Sequence, residues 1–154
     1  MRRIALTLAA LATAALVVAQ SMSASPPKQA QGTEVTIAAA TTESRMADGN
    51  LIEERVATRM LTGTFTGTLA SHLKRITYKD GDRRSEGFET CNPCEVEGRT
   101  GTVVFRLEAQ TTEKTVVTEA HLTVIDATGG LEGLHGILEV HANLYSGTYH
   151  FDPA

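Results

Sequence analysis

The chain has 154 residues, with 14 Lys and Arg against 18 Asp and Glu and a formal charge of −4. That length supports one domain with a single core. The acidic balance and the lack of a Lys/Arg cluster argue against nucleic acid and an anionic membrane as partners.

Arg2 and Arg3 precede an apolar run from Ile4 to Ala19, and Val17-Val18-Ala19 supplies small residues before Gln20. This is the pattern of a secretory signal peptide over residues 1–19. At about 16 residues the run is shorter than the roughly 20 that a spanning helix needs. No membrane span is therefore expected once it is removed. Removal takes two basic residues, leaving 12 against 18 acidic ones and a charge of −6. The expected location is secreted or extracytoplasmic. Residues 20–32, rich in Ser, Pro, Gln and Ala, read as a flexible tether, and the domain is expected over 33–154.

Within that domain, Val35, Ile37 and Ala39 alternate with Thr36 and Ala38 as a short strand. Asp48-Gly49-Asn50 signals a turn. Leu51–Met60 is ambiguous, because Glu53-Glu54-Arg55 favours helix and the residues after it favour strand. Leu61, Gly63, Phe65, Gly67 and Leu69 then share one strand face, with Thr62, Thr64, Thr66 and Thr68 on the other. Four threonines in register suit a strand and not a helix. Asp80-Gly81 has the form of a two-residue hairpin, from which Ser85–Thr90 returns antiparallel.

Cys91-Asn92-Pro93-Cys94 comes next. In an exported chain these cysteines are expected to form a disulfide around a turn. The same spacing serves disulfide oxidoreductases, but there the motif opens a helix. Here the flanks read as strand and turn, which favours a structural clip. A zinc site would need a second ligand pair at suitable spacing.

Thr102–Gln110 is the clearest strand, with Val103, Phe105, Leu107 and Ala109 on one face. Thr111–Lys114 turns the chain, and Val116–Ile125 follows with Ala120, Leu122 and Val124 aligned. Gly129-Gly130-Leu131-Glu132-Gly133-Leu134-His135-Gly136 places four glycines in eight residues, the mark of a tight loop feeding a close-packed sheet. Ile137–His141 and Thr148–Phe151 end the chain as short strands. The expectation is all-β: a single small antiparallel barrel of about eight strands, without a helix.

Three motifs carry a family resemblance: Leu61–Thr68, Gly98-Arg99-Thr100-Gly101-Thr102-Val103, and Gly129–Gly136 followed by Gly147-Thr148-Tyr149. In this order and spacing, Leu61–Phe151 resembles an uncharacterised bacterial family with an allene oxide cyclase-like barrel. The resemblance implies an antiparallel barrel with a possible lumen. Relatives in the wider superfamily cyclise or isomerise hydrophobic molecules such as fatty-acid epoxides and polyketide-like chains. It supplies no catalytic residue set for this sequence.

The chain has no nucleophile elbow, phosphate loop or zinc-protease helix. No cofactor is expected. Ser71 and His72 are adjacent, so a strand sends them to opposite faces. His135, Glu139 and His141 share parity, and His121 or His150 could join them in a metal or proton-relay set. Leu138 and Val140 claim the opposite face, however, so the expectation is a solvated surface and no metal. Arg99 is expected to make a structural ion pair. Phe65, Phe105, Leu107, Leu122 and Tyr149 line any ligand pocket if the lumen is not filled; Tyr78 and Tyr145 could add hydroxyls.

The leading expectation is a secreted barrel that binds a small hydrophobic molecule. The alternatives are a cyclase or isomerase that templates a flexible hydrophobic substrate, and a structural domain with a filled core. A homo-oligomer is compatible with each.

Overall fold

The protein is described from a computed structural model covering residues 25–112 and 119–153. Eight strands follow one another: β1 (Lys28–Ala47), β2 (Asn50–Gly63), β3 (Phe65–Thr77), β4 (Arg83–Val96), β5 (Arg99–Thr111), β6 (Glu119–Gly129), β7 (Leu134–His141) and β8 (Leu144–Phe151). Each pairs antiparallel with its predecessor, and β8 returns to β1, so the sheet closes into an up-and-down barrel. Along that seam, Lys28–Thr33 against Leu144–Tyr149, closure removes the open edges that a sheet would otherwise present. Among the described residues there is no helix, and none long and apolar enough to cross a membrane.

The seam is short. Lys28–Thr33 pair with Tyr149–Leu144, and then β1 leaves β8 and continues alone against β2 as far as Ala47. This corrects the expected tether: residues 28–32 are ladder-paired strand, while residues 1–24, with the leader, lie outside the described residues. The Thr111–Lys114 turn and the start of the Val116–Ile125 strand fall partly outside them too.

Leu51–Met60 is strand, paired antiparallel with β1 on one side and β3 on the other, a ladder that a helix could not continue. The run Leu61–Leu69 is not one strand. The chain reverses at Gly63 and Thr64, and Leu61 faces Gly67 across the resulting hairpin. Leu61, Phe65 and Leu69 are nonetheless all fully buried. The Asp80-Gly81 connection is also wider than two residues: 78–82 link β3 to β4, with Tyr78 N–H donating to Asp82 O (2.8 Å) and Gly81 N–H to Tyr78 O (3.0 Å).

The first end of the barrel carries the connections at Gly63–Thr64, Glu97–Gly98 and 130–133, and it is packed solid. Phe65 meets Phe105, Tyr145 and Tyr149 edge-on, with ring centroids 5.8, 6.3 and 5.8 Å away. Such pairs contribute about 0.5–1.5 kcal/mol each beyond their buried area. The Tyr145 hydroxyl accepts from Phe65 N–H (2.9 Å) and donates to Phe65 O (3.3 Å), binding β8 to the start of β3. Gly32 makes room for that ring, since a Cβ there would stand 2.5 Å from the hydroxyl.

The glycine-rich octet forms the β6–β7 connection. Gly129 and Gly133 take positive φ angles of 69° and 76°, and Gly130 N–H donates to Thr100 O (2.9 Å). The loop thereby folds Leu131 into full burial at the barrel end. Cys91 and Cys94 form the expected disulfide. Both are fully buried in β4, where the β4–β5 register shifts. A buried pair inside a strand is a clip rather than an exposed redox couple at a helix start.

Two substitutions measure this packing. Phe105→Ala should lower unfolding free energy by about 3–5 kcal/mol in urea denaturation, as expected for a large core ring. Replacing both cysteines with serine should lower it by about 2 kcal/mol, the chain-entropy value for so short a loop. Larger losses from the serine pair would assign the bridge more than a local role.

Candidate functional site

Past Phe105 and Leu122 the interior changes character. Glu34 on β1, Arg59 on β2, Ser71 on β3 and Glu89 on β4 all project inward and meet. Arg59 Nη1 lies against Glu34 Oε1 and is 3.0 Å from Glu89 Oε1. Ser71 Oγ donates to the same Glu89 oxygen at 2.7 Å. Glu89 is fully buried and Glu34 nearly so. Glu34 Oε2, Glu89 Oε2 and Arg59 Nε are buried without a hydrogen-bond partner among the described residues. Burial pushes the Glu89 carboxyl up to about 7; Arg59 opposes the shift, Glu34 adds to it and Ser71 opposes it.

Beyond this cluster, towards the end with the Ala142–Asn143 turn, lies a cavity of about 130 Å³. Leu73, Leu107, Ala109, Ala120 and Val140 form an apolar wall. Glu34, Thr36, Arg59, Arg75, Arg83 and Ser85 form a polar one. Arg75 Nε points towards Ser85 Oγ at 3.5 Å. Burial holds the Arg75 guanidinium below its ordinary value, with Arg55, Arg83 and Arg59 acting in the same direction and Glu53 against them. Among the described residues neither Arg75 nor Arg83 is ion-paired with a carboxylate, whereas Arg59 has two. The cavity mouth is therefore cationic on a chain that is acidic overall.

Of the residues expected to line a pocket, Leu107 alone lines this cavity. Phe65, Phe105 and Leu122 are fully buried in the packed end. Tyr149 is in that core too, and its hydroxyl donates to Glu97 at 2.7 Å. Burial and that carboxylate push the phenol up to about 12. Tyr145 is a core ring and Tyr78 is exposed. Among the described residues Arg99 makes no ion pair, contrary to expectation; its guanidinium sits 4.3 Å from the centre of the Phe151 ring. Glu139 and His141 face solvent, as alternation with Leu138 and Val140 requires. Ser71 is buried and His72 exposed, on opposite faces.

Sequence reasoning missed Glu34, Arg59 and Glu89. Val35 and Ile37, the apolar positions of the expected short strand, are exposed, at 46% and 57%, and Glu34 is buried. The signal was available in phase. Arg59 is two residues from Leu61, and Glu89 two from Cys91, so each shares an inward face.

Comparison with known proteins places the barrel. A family model described as a protein of unknown function (DUF3224) matches residues 27–152. The chain belongs to that family. A solved member from Shewanella oneidensis MR-1, of unknown function, superposes with a TM-score of 0.66 at 15% identity, covering 83% of this chain and all of that one. At that identity the likeness shows the fold. A search of curated proteins finds no match. The uncharacterised family and the barrel are thus established for this DUF3224 chain; the allene oxide cyclase-like resemblance gains no support from these findings.

The buried cluster has a pH signature. A carboxyl raised in the folded state contributes stability that is full below its unfolded value near 4.5 and is lost as pH rises through about 7. Unfolding free energy should therefore fall between about pH 4.5 and 7, and Glu89→Gln should flatten that slope. An unchanged slope in Glu89→Gln, read by denaturant titration across the range, would assign it to other groups.

Proposed function

We propose that the barrel binds a small molecule in the half of its lumen that the core leaves open. The carrying observation is the pairing of an apolar wall with Arg75 and Arg83 in one cavity. Apolar contact favours a short hydrocarbon body, and guanidinium groups that make no carboxylate ion pair among the described residues favour an anionic head such as a carboxylate. The earlier expectation of a hydrophobic ligand becomes one of an amphipathic organic acid. Export is part of the same proposal: the leader pattern at 1–19 and the Cys91–Cys94 disulfide both suit an extracytoplasmic carrier.

A second reading has its own support. Glu34 faces the cavity, and Glu89, raised to about 7, lies behind Arg59. A carboxyl poised near neutrality is suited to moving protons in acid–base catalysis, as a cyclase or isomerase would require. On this reading Glu34 touches the substrate, and the protonation of Glu89 sets how far the fixed charge of Arg59 is neutralised. The third expectation, a wholly filled core, describes the first end of the barrel alone.

Hexanoate and hexanol separate these terms. Hexanoate should perturb NMR signals of Leu73, Leu107 and Val140 with a micromolar to millimolar Kd, and hexanol should bind at least tenfold more weakly. Arg75→Gln with Arg83→Gln should abolish the difference between them. Equal binding of both by the unaltered protein would remove the anionic head from the proposal, and no perturbation by either would remove the lumen site.

A further inference from the structure

The first end of the barrel carries a second group of chemistry-bearing side chains, distant in the fold from the charged lumen. His135 on β7 and His150 on β8 are cross-strand partners. Asp152 follows His150 by two residues, where β-spacing returns a side chain to the same face. One donor atom from each of the three lies within 4.8 Å of the other two. The imidazoles are stacked, with centroids 5.1 Å apart and planes 18° from parallel. His135 Nε2 is 3.1 Å from Asp152 Oδ2.

We propose that His135, His150 and Asp152 form a surface site for a divalent transition metal ion of the Zn²⁺ class. Tetrahedral Zn²⁺ takes nitrogen and oxygen donors at 2.0–2.2 Å, which sets neighbouring donors about 3.3 Å apart. The His135–Asp152 separation already matches that edge. Two neutral imidazoles and one carboxylate are a borderline-soft donor set, which selects Zn²⁺ or Cu²⁺ over Mg²⁺ or Ca²⁺. Binding through His135 Nε2 uses the neutral tautomer that carries its proton on Nδ1, so the His135–Asp152 contact gives way to one bond from each to the metal.

The backbone holds the donors in place. The β7–β8 ladder fixes His135 opposite His150, and Asp152 N–H donates to Gly133 O (2.8 Å), which anchors the chain just past β8. All three side chains reach the surface, so an incoming ion has access and a fourth position stays open to water or an external ligand. This inference does not depend on the lumen reading.

Titration of the protein with Zn²⁺ alone, followed by calorimetry, tests it. One equivalent should bind with a Kd in the micromolar range or tighter. His135→Ala, His150→Ala and Asp152→Asn should each weaken it at least tenfold, while circular dichroism confirms that the barrel is retained. His121→Ala and His141→Ala, at exposed histidines elsewhere, should leave it unchanged. Mg²⁺ should not compete. Equal Zn²⁺ affinity in the His135→Ala/His150→Ala variant, or only millimolar binding by the unaltered protein, would overturn the site.

Discussion

One guanidinium held between two carboxylates divides the interior of this barrel. Arg59 lies where the aromatic core ends, and it reaches Glu34 on β1 and Glu89 on β4, with Ser71 of β3 completing the set. Four consecutive strands thus converge on one charge cluster. Its members cannot be removed one at a time without cost. An ion left buried without its counterion costs about 3–5 kcal/mol, whereas well-packed apolar residues in place of the whole group could be neutral or better.

The same cluster explains why one half of the lumen fills and the other does not. At the first end, large rings interlock and Leu131 is folded in by the β6–β7 loop. At the second, the inward positions of β2, β3 and β4 carry Arg59, Ser71, Arg75, Glu89, Ser85 and Arg83 beside Leu73, while those of β5 to β7 stay small or aliphatic: Leu107, Ala109, Ala120 and Val140. Long cations cannot close over one another as rings do, because like charges repel and each head seeks water or a counterion. A cavity with one oily side and one cationic side results. An eight-stranded barrel is just wide enough for either outcome, so side-chain choice decides which half stays open.

How far this was legible in the sequence depends on which strands one reads. β5 and β6 declare their inward faces, because Val103, Phe105, Leu107, Ala120, Leu122 and Val124 alternate with polar residues. The barrel class follows from them and from the glycine octet. β1 misleads, because its apolar residues Val35 and Ile37 point outward while Glu34 is buried alongside Ala30. Hydrophobic alternation identifies a face, but it assigns that face to the core only where the core is apolar. In the charged half of the lumen the rule inverts. Arg59 and Glu89 could have been recovered by extending the phase of Leu61 and Cys91 along their own strands; Glu34 could not, because nothing flanking it in sequence marks the turn of β1 away from β8.

That divergence of β1 bears on the site itself. After Thr33 the ladder to β8 ends, and Glu34 N–H donates instead to Asn143 O at 2.9 Å. Glu34 therefore sits where the seam opens, fixed by the backbone on one side and by Arg59 on the other. Asn143 also lines the cavity, so the β7–β8 turn, the open seam and the charged cluster are mechanically joined. Any anion that draws Arg59 towards the cavity pulls on Glu34, and through its backbone on the last contact between β1 and β8. On the proposed lumen-binding reading, occupancy and barrel closure would be coupled through Glu34, in a direction set by whether it keeps its hold on Arg59 or yields it to the ligand.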